Sequence, residues 1–140
     1  MPGGSAVREN TDVPDPNHAL VLFAHGARDP QWAKPFEQIV ARIRERNPGI
    51  AVVLAFLELM APSLDQAVDA LVAQGQKRIT LVPLFLARGG HLKNDLPVLV
   101  RAVETRHPGV RIRITAAIGE VEAILAGIAD WAEAEFVRDE

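Results

Sequence analysis

Four short apolar runs, at residues 20–24, 50–57, 78–86 and 110–115, alternate with amphipathic stretches along the chain. A strand covered on both faces reads as a continuous apolar run, while a helix lying on a sheet repeats its apolar residues every three to four positions. The order β-α-β-α-β-α-β-α therefore predicts an α/β fold, with a parallel sheet between helices. The chain has 140 residues, the length of one domain, and a domain of that size buries enough surface to dispense with disulfides or a structural metal.

Local signals set the expected boundaries. Asp29-Pro30 opens the first helix, because Asp caps free N–H groups and Pro loses nothing at the first helical position. Trp32, Phe36, Ile39, Val40 and Ile43 share one of its faces, and "NPG" at 47–49 ends it. Pro62 starts a second helix with Leu64, Ala67, Val68, Leu71 and Val72 inward. Asp95 reads as the cap of a third, which begins near Leu96 because Pro97 fits only close to a helix start. The run "VRIRIT" alternates apolar and basic residues and predicts an edge strand with one face partly wet. The last helix is expected over 119–136 with Val121, Ile124, Leu125 and Ile128 inward. Residues 1–17, rich in Gly, Pro, Asn and Asp, read as a flexible tail and leave 18–140 as the domain.

Several function classes fall away. A net charge of −3 gives no basic face for nucleic acid. The absence of cysteine removes thiolate metal sites, iron–sulfur clusters and a cysteine nucleophile. No run approaches the roughly 20 apolar residues of a membrane span, and the start lacks the apolar core of a secretory signal, so a cytoplasmic location is expected. There is no GxxxxGK[ST] phosphate loop. Neither Ser5 nor Ser63 lies in the G-x-S-x-G elbow of an α/β hydrolase. A histidine phosphatase also has a histidine after its first strand, but normally with Arg before it; here that residue is Ala24.

In open parallel sheets, ligands bind beyond the carboxyl ends of the strands. Three residues are expected there: His25 after the first strand, Glu58 after the second in "FLELMAPS", and His91 after the third in "ARGGHLK". Two imidazoles and a carboxylate suit borderline divalent metals and can equally accept protons. Gly26 and Gly89-Gly90 allow tight bends and close approach to a flat ligand. The connection 84–94 is longer than the usual two to six residues. Arg28, Arg88 and Lys93 lie in the same loops and offer a basic rim to an anionic substrate. His18 and His107 are assigned to structure or solvent.

The segments "LFAHGARDPQW", "FLELMAPSLDQAV" and "VPLFLARGGHLKNDLP", in that order, resemble the small sirohydrochlorin cobaltochelatases, the CbiX-like members of the class II chelatases. The resemblance covers roughly residues 19–130. It implies a three-layer α/β/α fold with four parallel strands in the order 2-1-3-4. It also implies ATP-independent insertion of a divalent metal into sirohydrochlorin, a carboxylate-rich tetrapyrrole of cobalamin and siroheme biosynthesis. The metal, with Co2+ foremost and Fe2+ or Ni2+ in relatives, is a substrate; no tightly bound cofactor is implied. His25 and His91 match the catalytic, metal-binding histidines, and Glu58 matches the acidic residue that completes the metal site in some relatives. Arg28, Arg88 and Lys93 would then pair with substrate carboxylates. Phe85, Leu86, Leu59 and Met60 are expected as core or dimer contacts more than as contacts to the macrocycle. Small members pair as homodimers.

The chemistry agrees with the residues. Metallation strips two protons from pyrrole nitrogens while the ion leaves its protein ligands. Neutral imidazoles can hold an ion or take up a proton near neutral pH, and an incomplete ligand set lets the ion go. The alternative function is a non-catalytic metal or tetrapyrrole carrier using the same three residues. A third reading is a flavodoxin-like interaction domain with incidental histidines.

Overall fold

The computed structural model describes residues 15–87 and 90–139, except for the side chains of residues 90–93. Residues 1–14 of the expected tail lie outside the described residues, as do Arg88 and Gly89. The strands are β1 (His18–Ala24), β2 (Ala51–Phe56), β3 (Arg78–Pro83) and β4 (Arg111–Ile114). All pair in parallel, in the order β2-β1-β3-β4 that the resemblance implies. The helices are α1 (Lys34–Arg46), α2 (Leu64–Ala73), α3 (Gly90–Arg106) and α4 (Glu122–Arg138).

Strand side chains alternate between faces, and this divides the core. Ala19, Val21 and Phe23 of β1 and Ile79 and Leu81 of β3 point to one side. There they pack with Leu64, Val68 and Leu71 of α2 and with Leu96, Val100 and Val103 of α3. Leu22 and Val52 point to the other side and pack with Val40 of α1. Among the described residues, this second face is only partly covered beyond α1. Thr80 and Val82 of β3 are only half-buried, and Arg111 and Arg113 of β4 are exposed. The alternation in β4 thus marks a wet edge strand, as its sequence predicts.

Helix starts follow from caps. Ser63 caps α2: its Oγ accepts from the Gln66 backbone N–H at 3.2 Å, while Gln66 Oε1 accepts from the Ser63 N–H at 2.9 Å. Asp29 caps a short 3-10 turn, Pro30–Ala33, by accepting from the Gln31 N–H at 2.9 Å. The expected single helix is split at this point. Pro35 in the first turn of α1 has no N–H for the Gln31 carbonyl, so the chain tightens before becoming α-helical.

Two expectations need correction. The third helix begins at Gly90 rather than near Leu96, and Pro97 lies inside it. An interior proline costs about 3 kcal/mol, but Leu96, Val100 and Val103 are buried on this helix. Each such side chain returns about 1.5–3 kcal/mol, so burial outweighs the proline. The connection after β3 is correspondingly shorter than expected, and His91 sits on a helix instead of a loop. The last helix begins at Glu122, after a 3-10 turn at Ile118–Glu120. Its expected inward residues Ile124, Leu125 and Ile128 are exposed, because α4 does not lie on the sheet of its own chain and buries none of its residues.

Candidate active site

The carboxyl edge of the sheet is assembled from adjacent strands. β1 and β2 are neighbours in register, Ala24 beside Phe56, and their pairing continues one step past the strands. The Leu57 N–H donates to the Ala24 carbonyl at 2.9 Å, and the Glu58 N–H donates to the His25 carbonyl at 3.0 Å. His25 and Glu58 therefore leave the sheet side by side. Their side chains meet, His25 Nε2 to Glu58 Oε2, at 2.8 Å. About half of each is open to solvent, 50% for His25 and 55% for Glu58.

Backbone fit makes this juxtaposition possible. Gly26 has φ +100°, and a β-carbon there would fall 1.8 Å from the Glu58 carbonyl oxygen. Only glycine allows the two chains to pass this closely. The loop after Glu58 doubles back, and the Phe56 N–H donates to the Pro62 carbonyl at 2.9 Å. Beneath the imidazole, buried Phe85 meets the His25 ring nearly edge-on, with centroids 6.3 Å apart, and meets Phe23 in the same manner.

The approach to His91 is pinned from both sides. The Leu84 N–H donates to the Phe23 carbonyl at 2.8 Å, and the Phe85 carbonyl accepts from the Gly119 N–H at 3.1 Å. A β-carbon on Gly119 would sit 1.6 Å from the Leu86 carbonyl oxygen. The turn after β4 thus locks the segment that leads into α3. The sequence reading missed this role of Gly119; a glycine at the first position of the expected last helix was its one signal.

Among the expected site residues, the structure brings His25 and Glu58 together. His91 and Lys93 have their backbone in the first turn of α3, and their side chains lie outside the described residues, as does the whole of Arg88. Arg28 is exposed in the loop after β1. Of the four apolar rim residues, Phe85 is buried and Met60 packs with Phe56, whereas Leu59 and Leu86 are exposed. Leu59 has a left-handed backbone, φ 67°, that turns the loop outward. The other histidines lie elsewhere. His107 Nε2 lies 2.7 Å from Asp69 at the opposite end of the sheet. His18 Nε2 shares a hydrogen bond with Thr80 Oγ1 at 2.8 Å.

The CbiX family model matches residues 19–134. The chain belongs to the CbiX family. It is 38% identical over 89 residues to a sirohydrochlorin cobaltochelatase of Methanocaldococcus jannaschii, a match covering 64% of this chain and 62% of that protein. It is 36% identical over 113 residues to a sirohydrochlorin ferrochelatase of Bacillus subtilis, covering 79% of this chain but 42% of that protein. The crystal structure of a CbiX protein from Marinobacter aquaeolei VT8 superposes with TM-score 0.77 at 36% identity, over 86% of this chain and 98% of that one. The chain therefore spans under two thirds of the length of the two named chelatases. No helix among the described residues of this CbiX chain is long and apolar enough to cross a membrane.

An imidazole and a carboxylate in contact offer one nitrogen and one oxygen donor of the kinds that borderline divalent ions accept. An ion bound by both, at about 2.0–2.2 Å from each, needs the two atoms roughly 3.4 Å apart. Holding an ion would therefore open the 2.8 Å pair by a small rotation. Both side chains have the solvent exposure to make it.

Proposed function

We propose that this chain inserts a divalent metal ion into sirohydrochlorin without ATP, with Co2+ the first candidate and Fe2+ or Ni2+ the alternatives. The observation that carries this reading is the His25–Glu58 pair, open to solvent at the carboxyl edge of a CbiX-family sheet. His25 and Glu58 hold the incoming ion, and His91, from the first turn of α3, supplies a third ligand. The set stays incomplete so that ring nitrogens can take the ion over. One doubly charged ion enters and two pyrrole protons leave, so charge balances without a further reactant. As the ion departs, the imidazoles and the carboxylate are free to receive those protons.

The basic residues Arg28, Arg88 and Lys93 pair with carboxylates at the macrocycle's periphery. Exposed Leu59 and Leu86 offer apolar surface to its flat face. Co2+ is favoured by the cobaltochelatase named above, while the Bacillus ferrochelatase keeps Fe2+ in play. The chain works in the cytoplasm and pairs with a second copy, which supplies the length that the Bacillus relative carries in one chain.

The test is anaerobic visible absorption of sirohydrochlorin mixed with the protein and each metal in turn, beside a His25→Ala/His91→Ala control. Conversion to the metallated ring over many turnovers, faster than in the control, is expected. A carrier would bind metal or macrocycle and release it unchanged, and a rate equal to the control would overturn the proposal.

A further inference from the structure

The His25 ring meets Glu58 and Phe85 in different ways. Its contact with Glu58 is polar, 2.8 Å from Nε2 to Oε2, and has to open for an ion to sit between the two groups. Its contact with Phe85 is aromatic, with the rings at 84° and the centroids 6.3 Å apart. A divalent ion draws on nitrogen and oxygen donors, so loading leaves the phenyl ring out of the exchange.

Phe85 is built to stay where it is. Its side chain is buried, and its ring stands at 81° to that of fully buried Phe23, with centroids 6.0 Å apart. The backbone on either side is tied to two other elements. The Leu84 N–H donates to the Phe23 carbonyl at the end of β1, and the Phe85 carbonyl accepts from the Gly119 N–H after β4. Gly119 passes the Leu86 carbonyl with no room for a β-carbon. His25, by contrast, is half open to solvent, and the second torsion of an imidazole side chain is soft.

We propose that Phe85 is a positioning residue for metal insertion: its ring is a fixed wall that keeps the His25 imidazole aligned when the Glu58 contact opens. The proposal rests on the metal insertion proposed above and deepens it. With the wall in place, the imidazole turns away from Glu58 along one path, and its nitrogen stays directed at the ion. Without it, the freed ring samples several orientations, and a misplacement of about 1 Å costs on the order of a hundredfold in rate. Phe85 acts through His25 and touches neither ion nor macrocycle.

The test separates a wall from a core filler. Phe85→Leu and Phe85→Met keep an apolar side chain of similar bulk but lose the flat ring. For both, kcat for anaerobic Co2+ insertion into sirohydrochlorin is expected to fall roughly tenfold or more, with KM for the macrocycle changed by less than about threefold. Leu71→Ala truncates a fully buried side chain of the same core and is expected to lower Tm while keeping kcat at a temperature where every variant is folded. An unchanged kcat in Phe85→Leu, or a loss no larger than that in Leu71→Ala, would overturn the proposal. A rise in KM alone would overturn it too, because it would place Phe85 in macrocycle binding.

NMR reads the same wall without turnover. Side-chain couplings of His25 in the metal-free chain are expected to show one rotamer in the unmodified protein and averaging in Phe85→Leu. Cross-peaks between the His25 and Phe85 ring protons are expected to persist when Zn2+ is added. One rotamer in both chains, or cross-peaks lost with Zn2+, would overturn the positioning role whatever the chain does to sirohydrochlorin. No insertion by the unmodified chain, with the rotamer result as expected, would overturn the metal-insertion reading while upholding the wall.

Discussion

Gly26 and Glu58 meet backbone to backbone: the space where a β-carbon would stand on Gly26 is filled by the Glu58 carbonyl, 1.8 Å away. The contact ties the ends of β1 and β2 together and sets His25 beside Glu58. A larger residue must push the two segments apart and also adopt φ +100°. Gly26→Ala is expected to lose about 2–4 kcal/mol of stability. Urea unfolding measures it, and an unchanged midpoint would contradict the stated role of this contact.

Glu58→Gln keeps the shape of the side chain and a carbonyl oxygen facing His25 Nε2 but removes the charge. If the pair loads the ion, Co2+ affinity should fall roughly 10- to 100-fold while the thermal transition moves little. Titration followed by cobalt absorption gives the affinity. An affinity equal to that of the unmodified chain would take Glu58 out of the ligand set.

His18 links stability to pH. Burial lowers its pKa below the ordinary histidine value; Arg78 and Arg113 push in the same direction, and Asp15 opposes them. Arg78 also donates to its Nδ1 at 3.2 Å, and Thr80 faces its Nε2, so the folded chain favours the neutral ring. The unfolded chain then takes up the proton more readily. The contribution of His18 is complete above the ordinary pKa and is lost as pH falls through it toward the lowered folded value. His18→Gln should accordingly show a shallower fall in Tm than the unmodified chain between about pH 7 and pH 5. Parallel Tm profiles would show that this histidine is not linked to folding.

Ser63 and Gln66 satisfy each other's backbone N–H at the start of α2. Ser63→Ala removes one half of that exchange and should cost about 1 kcal/mol, with turnover kept. A stability change within error would mean that water replaces the cap freely.

The first three strands were legible as continuous apolar runs and β4 as an alternation of apolar and basic residues, and the order 2-1-3-4 came from the resemblance. Placing His25 and Glu58 at one edge followed from the rule for parallel sheets. Their hydrogen bond was not legible, since it depends on β1 and β2 being adjacent and on the passage at Gly26. The start of α3 was misjudged because a local rule for Pro97 met tertiary burial of Leu96, Val100 and Val103, and burial won. The face of α4 was legible in Ile124, Leu125 and Ile128, but periodicity shows that an apolar face exists and not what covers it. Gly119 was passed over because its neighbour, the Leu86 carbonyl, is distant in sequence.

Under the proposed function, His25 serves metal insertion and not macrocycle binding. The most direct measurement pairs two readings on the unmodified chain and on His25→Ala: the anaerobic initial rate of cobalt insertion into sirohydrochlorin, and the affinity for the metal-free macrocycle from its fluorescence. A rate loss of roughly a hundredfold or more is expected, with macrocycle affinity changed by less than about threefold. An unchanged rate in His25→Ala, or a loss explained wholly by weaker macrocycle binding, would contradict it.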